Sequence, residues 1–143
     1  MKKIRAAVVG YGNIGRFAIA PDFEIAGVVR RNGAENKPSE LAPYDVVKDI
    51  TELKDVDVAI LATPTRSCKE YATRILGMGI NTVDSFDIHT GICQYRRNLM
   101  KVCQENGTVA VIAAGWDPGS DSIVRTLMES LAPKGLSYTN FGP

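Results

Sequence analysis

Apolar and polar positions fall into blocks along this chain, and the blocks have two different periods. "IRAAVVG", "EIAGVVRR" and "VDVAILATP" are short runs that are apolar at consecutive positions, the last of them stopped by Pro64. "INTVDS" and "TVAVIAAG" follow, and "YDVV" is a weaker member of the set. Such runs fit strands covered on both faces, as in a parallel sheet. The stretches between them have helical spacing. "RSCKEYATRILGMG" places Tyr71, Ile75 and Leu76 together and stops at Gly77 or Gly79. "CQYRRNLMKVCQENG" does the same with Leu99, Val102 and Cys103 and stops at Asn106 and Gly107. "DSIVRTLMESLAPKG" is a third such helix, ended by Pro133, while "RNGAENKPSELAP" reads as a loop. Strand and helix in alternation predict an α/β fold with a doubly wound, mainly parallel sheet and right-handed crossovers.

Composition narrows the class without changing the fold. The 143 residues, 45% hydrophobic and 23% charged, read as one globular domain spanning 1–143. A net charge of +1 gives no bulk electrostatic case for nucleic acid or an anionic membrane. The opening "MKKIRAAVVGYGN" is basic like a signal peptide, but glycine and asparagine interrupt its short apolar run. No segment approaches the roughly 20 apolar residues of a membrane helix. Cys68, Cys93 and Cys103 are odd in number and form no C-x-x-C pair. They read as reduced packing residues of a cytoplasmic protein, with no metal site.

The chemistry begins at "VVGYGNIGR". Gly10, Gly12 and Gly15 follow a strand and open a helix, the context in which G-x-G-x-x-G signals a dinucleotide site. The first glycine permits the tight turn and the second lets backbone approach a pyrophosphate. The third lets the helix pack close to the sheet, with helix N–H groups turned to the anion. The expected architecture is therefore Rossmann-like. An NAD site usually carries an acid at the end of the second strand for the ribose hydroxyls. This chain has Arg30 and Arg31 there. Two guanidinium groups suit a 2′-phosphate, which favours NADP(H) over a merely solvated basic strand end. Only "RFAIAPDF" separates Gly15 from the second strand, so the first helix is expected to be short.

A second cluster follows the later strands. "ATPTRS", "VDSFDIH" and "AGWDPGSDS" all come at carboxyl ends of strands, where an open α/β sheet binds its ligands. Asp84, Asp87, Asp117 and Asp121 suit a substrate ammonium group, and hydroxyls and N–H groups at the start of the Gly119–Leu131 helix suit its carboxylate. Local roles compete with this reading. Asp117 is also placed to cap the helix, and Asp121 to complement its dipole. Trp116 serves a core as readily as a substrate floor. His89, the sole histidine, fits a solvent-facing helix start better than a general base.

Taken together, "VGYGNIGR", "VVRR", "TVDSFDIH", "GWDPGSDSIVR" and "TNFGP" resemble the meso-diaminopimelate dehydrogenase family over essentially the whole chain. "GWDPG" with "VDSFD" is more specific than the glycine motif. The resemblance implies a cytoplasmic, homodimeric, NADP-dependent oxidoreductase of lysine and cell-wall precursor metabolism. Its reaction is the reversible deamination of the D-centre of meso-diaminopimelate to L-2-amino-6-oxopimelate and ammonia. It further implies that Gly10, Gly12, Asn13, Ile14 and Gly15 hold the pyrophosphate, that Arg30 and Arg31 hold the 2′-phosphate, and that Tyr11 belongs to the cofactor site. Thr63, Pro64, Thr65 and Ser85 complete the cofactor site. Asp87, Asp117 and Trp116 become the catalytic group, with Asp84, Pro118, Gly119 and Asp121 added around the substrate. The family's second domain, for substrate clamping and dimerisation, is expected to follow a link near residues 133–143. Two other readings stay open: a related NADP-dependent reductase of the same pathway, and a non-catalytic NADP-binding module.

Overall fold

The computed structural model describes residues 3–19, 24–115 and 119–135. Six strands, β1 (Arg5–Val9), β2 (Glu24–Val29), β3 (Val46–Val47), β4 (Val58–Leu61), β5 (Asn81–Asp84) and β6 (Ala110–Val111), form one sheet. Their order is β3-β2-β1-β4-β5-β6, and every neighbouring pair is parallel. The expected doubly wound Rossmann-like sheet is what the chain adopts. The helices are α1 (Asn13–Phe17), α2 (Thr65–Leu76), α3 (Ile92–Asn106) and α4 (Ser120–Leu131). As the spacing predicted, α1 is short, at five residues.

Register decides which side chains form the core. Pairing of Ala7 with Ala59 and of Val9 with Leu61 puts small and branched residues on one face. There α2 and α3 bring down Cys68, Ala72, Ile75, Leu76, Tyr95 and Leu99, all buried. On the opposite face Val8 and Val28 pack with Leu41, and Tyr11, Ala18 and Tyr44 close over them. The α2 helix starts directly after Pro64, and α3 stops where Gly107 turns left-handed at φ +64°. Because β1 leads to β2 on one side and has β4 on the other, a crevice opens beyond the carboxyl ends of these three strands.

One wall of that crevice is braced by a short helical turn, Ile50–Glu52, just after β3. Asp49 accepts hydrogen bonds from the Thr51 N–H at 3.0 Å and from Arg74 at 2.7 Å. Glu52 reciprocates by accepting from the Asp49 N–H at 2.8 Å. The Thr51 N–H, and then Arg74, hold the Asp49 carboxyl down at about 2. A depressed carboxylate contributes stability above its unfolded value, near 3.8, and loses it as pH falls toward 2. Asp49→Ala is expected to cost about 0.5–2 kcal/mol at neutral pH, as loss of a cap does. Urea unfolding at pH 7 and pH 3 should show the variant's deficit shrinking at the lower pH. A constant deficit would remove the carboxylate as its cause.

Candidate cofactor and substrate site

Two of the three loop glycines are required by the protein's own packing. At Gly10 φ is +93°, and a Cβ there would lie 2.4 Å from the Ala62 carbonyl oxygen on the neighbouring strand's end. A Cβ on Gly15 would lie 2.3 Å from the Gly10 carbonyl oxygen, so helix α1 sits directly on the turn. Gly12 differs. A Cβ there would meet nothing within 4 Å, so internal packing does not require a glycine. Its bare, exposed backbone faces a cleft and leaves room for a ligand to come close.

The cleft has a volume of about 740 Å³, within the usual range for small-molecule sites. Its floor is Gly10, Tyr11, Gly12, Asn13 and Ile14; Arg30 and Arg31 enter from the end of β2, and Thr63 and Pro64 from the end of β4. Gly15 is buried beneath it, while Thr65 and Ser85 stand off its lining. Arg30 donates through Nη1 to the carbonyl oxygens of Gly33 at 3.2 Å and Glu35 at 3.4 Å, and so shapes the turn after β2. Burial, and then the nearby Glu40 carboxylate, raise the Tyr11 phenol above its ordinary value and keep it neutral.

The carboxylates separate into two kinds. Asp84 is buried, at 2% exposure, and its oxygens are taken by internal donors. The Phe86 N–H and the Ala113 N–H each reach Oδ1 at 3.0 Å, and the Tyr95 hydroxyl reaches Oδ2 at 2.5 Å. That places Asp84 behind the loops that follow β5 and β6, with its oxygens turned to internal donors and not to the surface. Its work is to tie the loop after β5, helix α3 and the loop after β6 together. Ala113 is held there at φ +54°, a left-handed conformation that alanine seldom adopts. Asp121 is also buried, in the first turn of α4, with Arg125 Nε 3.3 Å from its Oδ2. Its place in the first turn is the one that the competing dipole reading gave it, and the Arg125 pair is an addition to that reading.

Asp87, by contrast, is exposed, and the Thr65 hydroxyl donates to its Oδ1 at 2.5 Å. That bond joins a residue expected at the cofactor to one expected at the substrate. Gly119 pairs with Gly115 in an isolated bridge, and its N–H donates to Ser122 Oγ at 3.2 Å. His89 is exposed at the start of a short helical turn, as expected. Trp116, Asp117 and Pro118 lie outside the described residues.

Residues 4–83 match the oxidoreductase family with an NAD-binding Rossmann fold. The chain belongs to that family. Its relatives agree with the motif resemblance: meso-diaminopimelate D-dehydrogenase of Bacteroides fragilis is 70% identical over the full chain. The chain spans about half the length of that relative, 50%. Among solved structures, a meso-diaminopimelate dehydrogenase mutant with DAP from Clostridium tetani superposes with a TM-score of 0.75 at 35% identity. That match covers 95% of this chain and 44% of the other. An engineered D-amino acid dehydrogenase bound to NADP+ gives 0.71 at 30% identity, over 91% of this chain and 42% of the other.

Within this family fold, the cleft also contains Asn32, Lys48, Ser67 and Tyr71, which reading the sequence missed. Ser67 and Tyr71 lie on α2 at a spacing that also suits core packing, so periodicity alone gives no warning of them. Lys48 is brought to the cleft by strand register, which no local pattern in the sequence shows. Val28 pairs with Val46 and Val29 with Val47, which carries Lys48 to the side of Arg30.

Proposed function

We propose that this chain is the cofactor-binding half of an NADP-dependent dehydrogenase that oxidatively deaminates the D-centre of meso-diaminopimelate. The observation that carries the reading is the cleft itself, whose one lining combines an open glycine backbone and a basic strand end. The 70% identity to the Bacteroides fragilis enzyme supports the choice of substrate, and the NADP+-bound relative supports the choice of cofactor.

When bound, NADP+ supplies the hydride acceptor for the substrate's α-carbon. The chain's own residues do the rest of the work. Gly12 admits the pyrophosphate to the backbone, and Arg30 and Arg31 take the 2′-phosphate through charge-assisted hydrogen bonds. Thr63 and Pro64 wall the cleft toward the substrate loops, and Thr65 fixes the Asp87 carboxylate that orients the ammonium. Asp117 and Trp116 join Asp87 at the substrate on the strength of the "GWDPG" motif. Once the ammonium has given one proton to water, loss of hydride from the α-carbon would leave an iminium, which water hydrolyses to the oxo acid and ammonium. The reading carries with it a homodimer of the longer protein, in the cytoplasm.

The test has two parts. Titration of the chain should show NADPH binding more tightly than NADH. The double variant Arg30→Ala/Arg31→Ala should lose at least about tenfold in NADPH affinity, since each bond to a charged group is worth on the order of 1.5–3 kcal/mol. NADH should be unaffected, and equal weakening of both would mean that the arginines only support the turn. Extended to the length of its relatives, the protein should reduce NADP+ with meso-diaminopimelate and not with the L,L isomer. Indifference to the isomer would rule out the D-centre as the reacting carbon.

A further inference from the structure

We infer that Lys48 is a third reader of the 2′-phosphate, with Glu35 as its weak, exchangeable partner until the cofactor arrives. The inference rests on the NADP reading above and adds a residue that neither the glycine motif nor the arginine pair announces.

Three observations place the lysine. Parallel pairing of β3 with β2, closed by the Arg30 N–H on the Val47 carbonyl at 2.9 Å, sets Lys48 beside Arg30 on one cleft wall. Its backbone is pinned, because its own N–H donates to Glu52 Oε1 at 3.0 Å within the capped turn that follows. Its aliphatic stem is seated as well. Gly33 is buried at φ +54°, and a Cβ there would come within 2.8 Å of Lys48 Cγ. The turn's positive φ already favours glycine at 33, and the bare position lets the lysine stem lie against it. Backbone and stem are therefore fixed while the ammonium stays in water, which is the arrangement of a preorganised charge.

The ammonium has a weak partner. Nζ lies 3.4 Å from Glu35 Oε1, with the two side chains 64% and 70% exposed. Exposed pairs of this kind contribute little, so exchanging the carboxylate for a phosphate dianion is easy. Arg30 has its Nη1 on two carbonyls of the turn, and Arg31 has no side-chain hydrogen bond or ion pair among the described residues. A dianion between these side chains meets Arg31, the outer donors of Arg30 and the Lys48 ammonium. Glu35 then competes with the phosphate for the lysine.

Lys48→Met keeps the stem on Gly33 and removes the charge. In the chain as it stands, it should weaken NADPH binding by about five- to tenfold, leave NADH within about twofold, and make NADPH binding less sensitive to salt. Lys48→Arg should restore most of the affinity, and Glu35→Gln should raise NADPH affinity by about two- to threefold with its competitor gone. An unchanged NADPH-to-NADH ratio in Lys48→Met overturns the role of Lys48 but leaves the NADP reading standing. Equal losses for both cofactors do the same, since they make the lysine a support of the wall. Equal binding of NADPH and NADH by the unaltered chain overturns the NADP reading, and this inference falls with it.

Discussion

Asp84→Ala is expected to destabilise the domain by about 3–5 kcal/mol, a large share of the 5–15 kcal/mol that folded domains usually possess. The carboxylate accepts from Phe86 N, Ala113 N and the Tyr95 hydroxyl. All three donors would be left in the interior without a partner, and each such group costs about 1–3 kcal/mol. Asp84→Asn should cost far less, about 1 kcal/mol. Its amide oxygen can accept from the two N–H groups while its NH2 donates to the Tyr95 oxygen. Chemical denaturation of both variants checks this, and an alanine variant within 1 kcal/mol of the unaltered chain would show that water replaces the carboxylate.

The same network predicts an alkaline limit. Burial first, and then the bond to Asp84, push the Tyr95 phenol well above the ordinary tyrosine value. A group whose native value is raised contributes stability below its unfolded value, near 10, and loses it as pH climbs beyond. Each pH unit above 10 then costs up to about 1.4 kcal/mol from this residue alone. Tyr95→Phe should flatten the stability profile between pH 9 and 11, and an equally steep fall in the variant would assign the limit to other groups.

How far the sequence discloses the site depends on what each residue's role requires. The strands and the three longer helices were legible because burial on two faces, or on one helical face, imposes a period on residue type. Gly10 and Gly15 were legible because a tight turn and a helix contact each exclude side chains, and Gly12 because the motif that joins them carries it. The short α1 was legible from chain length, since "RFAIAPDF" leaves room for about two turns at most before Pro21. Asp84 and Asp87 were not separable by these means. Both are aspartates at the end of one strand, three residues apart, yet one is buried under three donors and the other is exposed beside Thr65. What distinguishes them is Tyr95 arriving from α3 and Ala113 arriving from beyond β6, and no local pattern encodes either approach. Lys48 was hidden for a related reason. The strand before it has only two residues, too few to show a period, and only its register against β2 brings the lysine to the cleft.

Asp87 therefore carries the larger functional expectation. Its Oδ1 is fixed by the Thr65 hydroxyl at 2.5 Å, and the residue is otherwise exposed. One oxygen is thus held by the protein while the other is available to an ammonium group. On the proposed reading the pairing would also couple the substrate to the cofactor wall, because Thr65, the first residue of α2, directly follows Thr63 and Pro64 of the cleft lining. An ammonium bound at Asp87 would then be located relative to the cofactor cleft by a short run of backbone and not by a flexible loop alone. Orientation of this kind can supply roughly 7–11 kcal/mol of a barrier when the reacting atoms are well aligned. Asp87→Asn keeps the acceptor for Thr65 and removes only the charge. In the protein extended to the length of its relatives, deamination should fall by about a hundredfold or more, with NADPH affinity and melting temperature little changed. Thr65→Val leaves the charge but frees the carboxylate, so it should lose a smaller factor, about tenfold, with the same cofactor affinity. Full activity in Asp87→Asn would take the carboxylate out of the reaction. A parallel loss of NADPH affinity would make the Thr65–Asp87 pair a brace of the cofactor cleft instead of a holder of substrate.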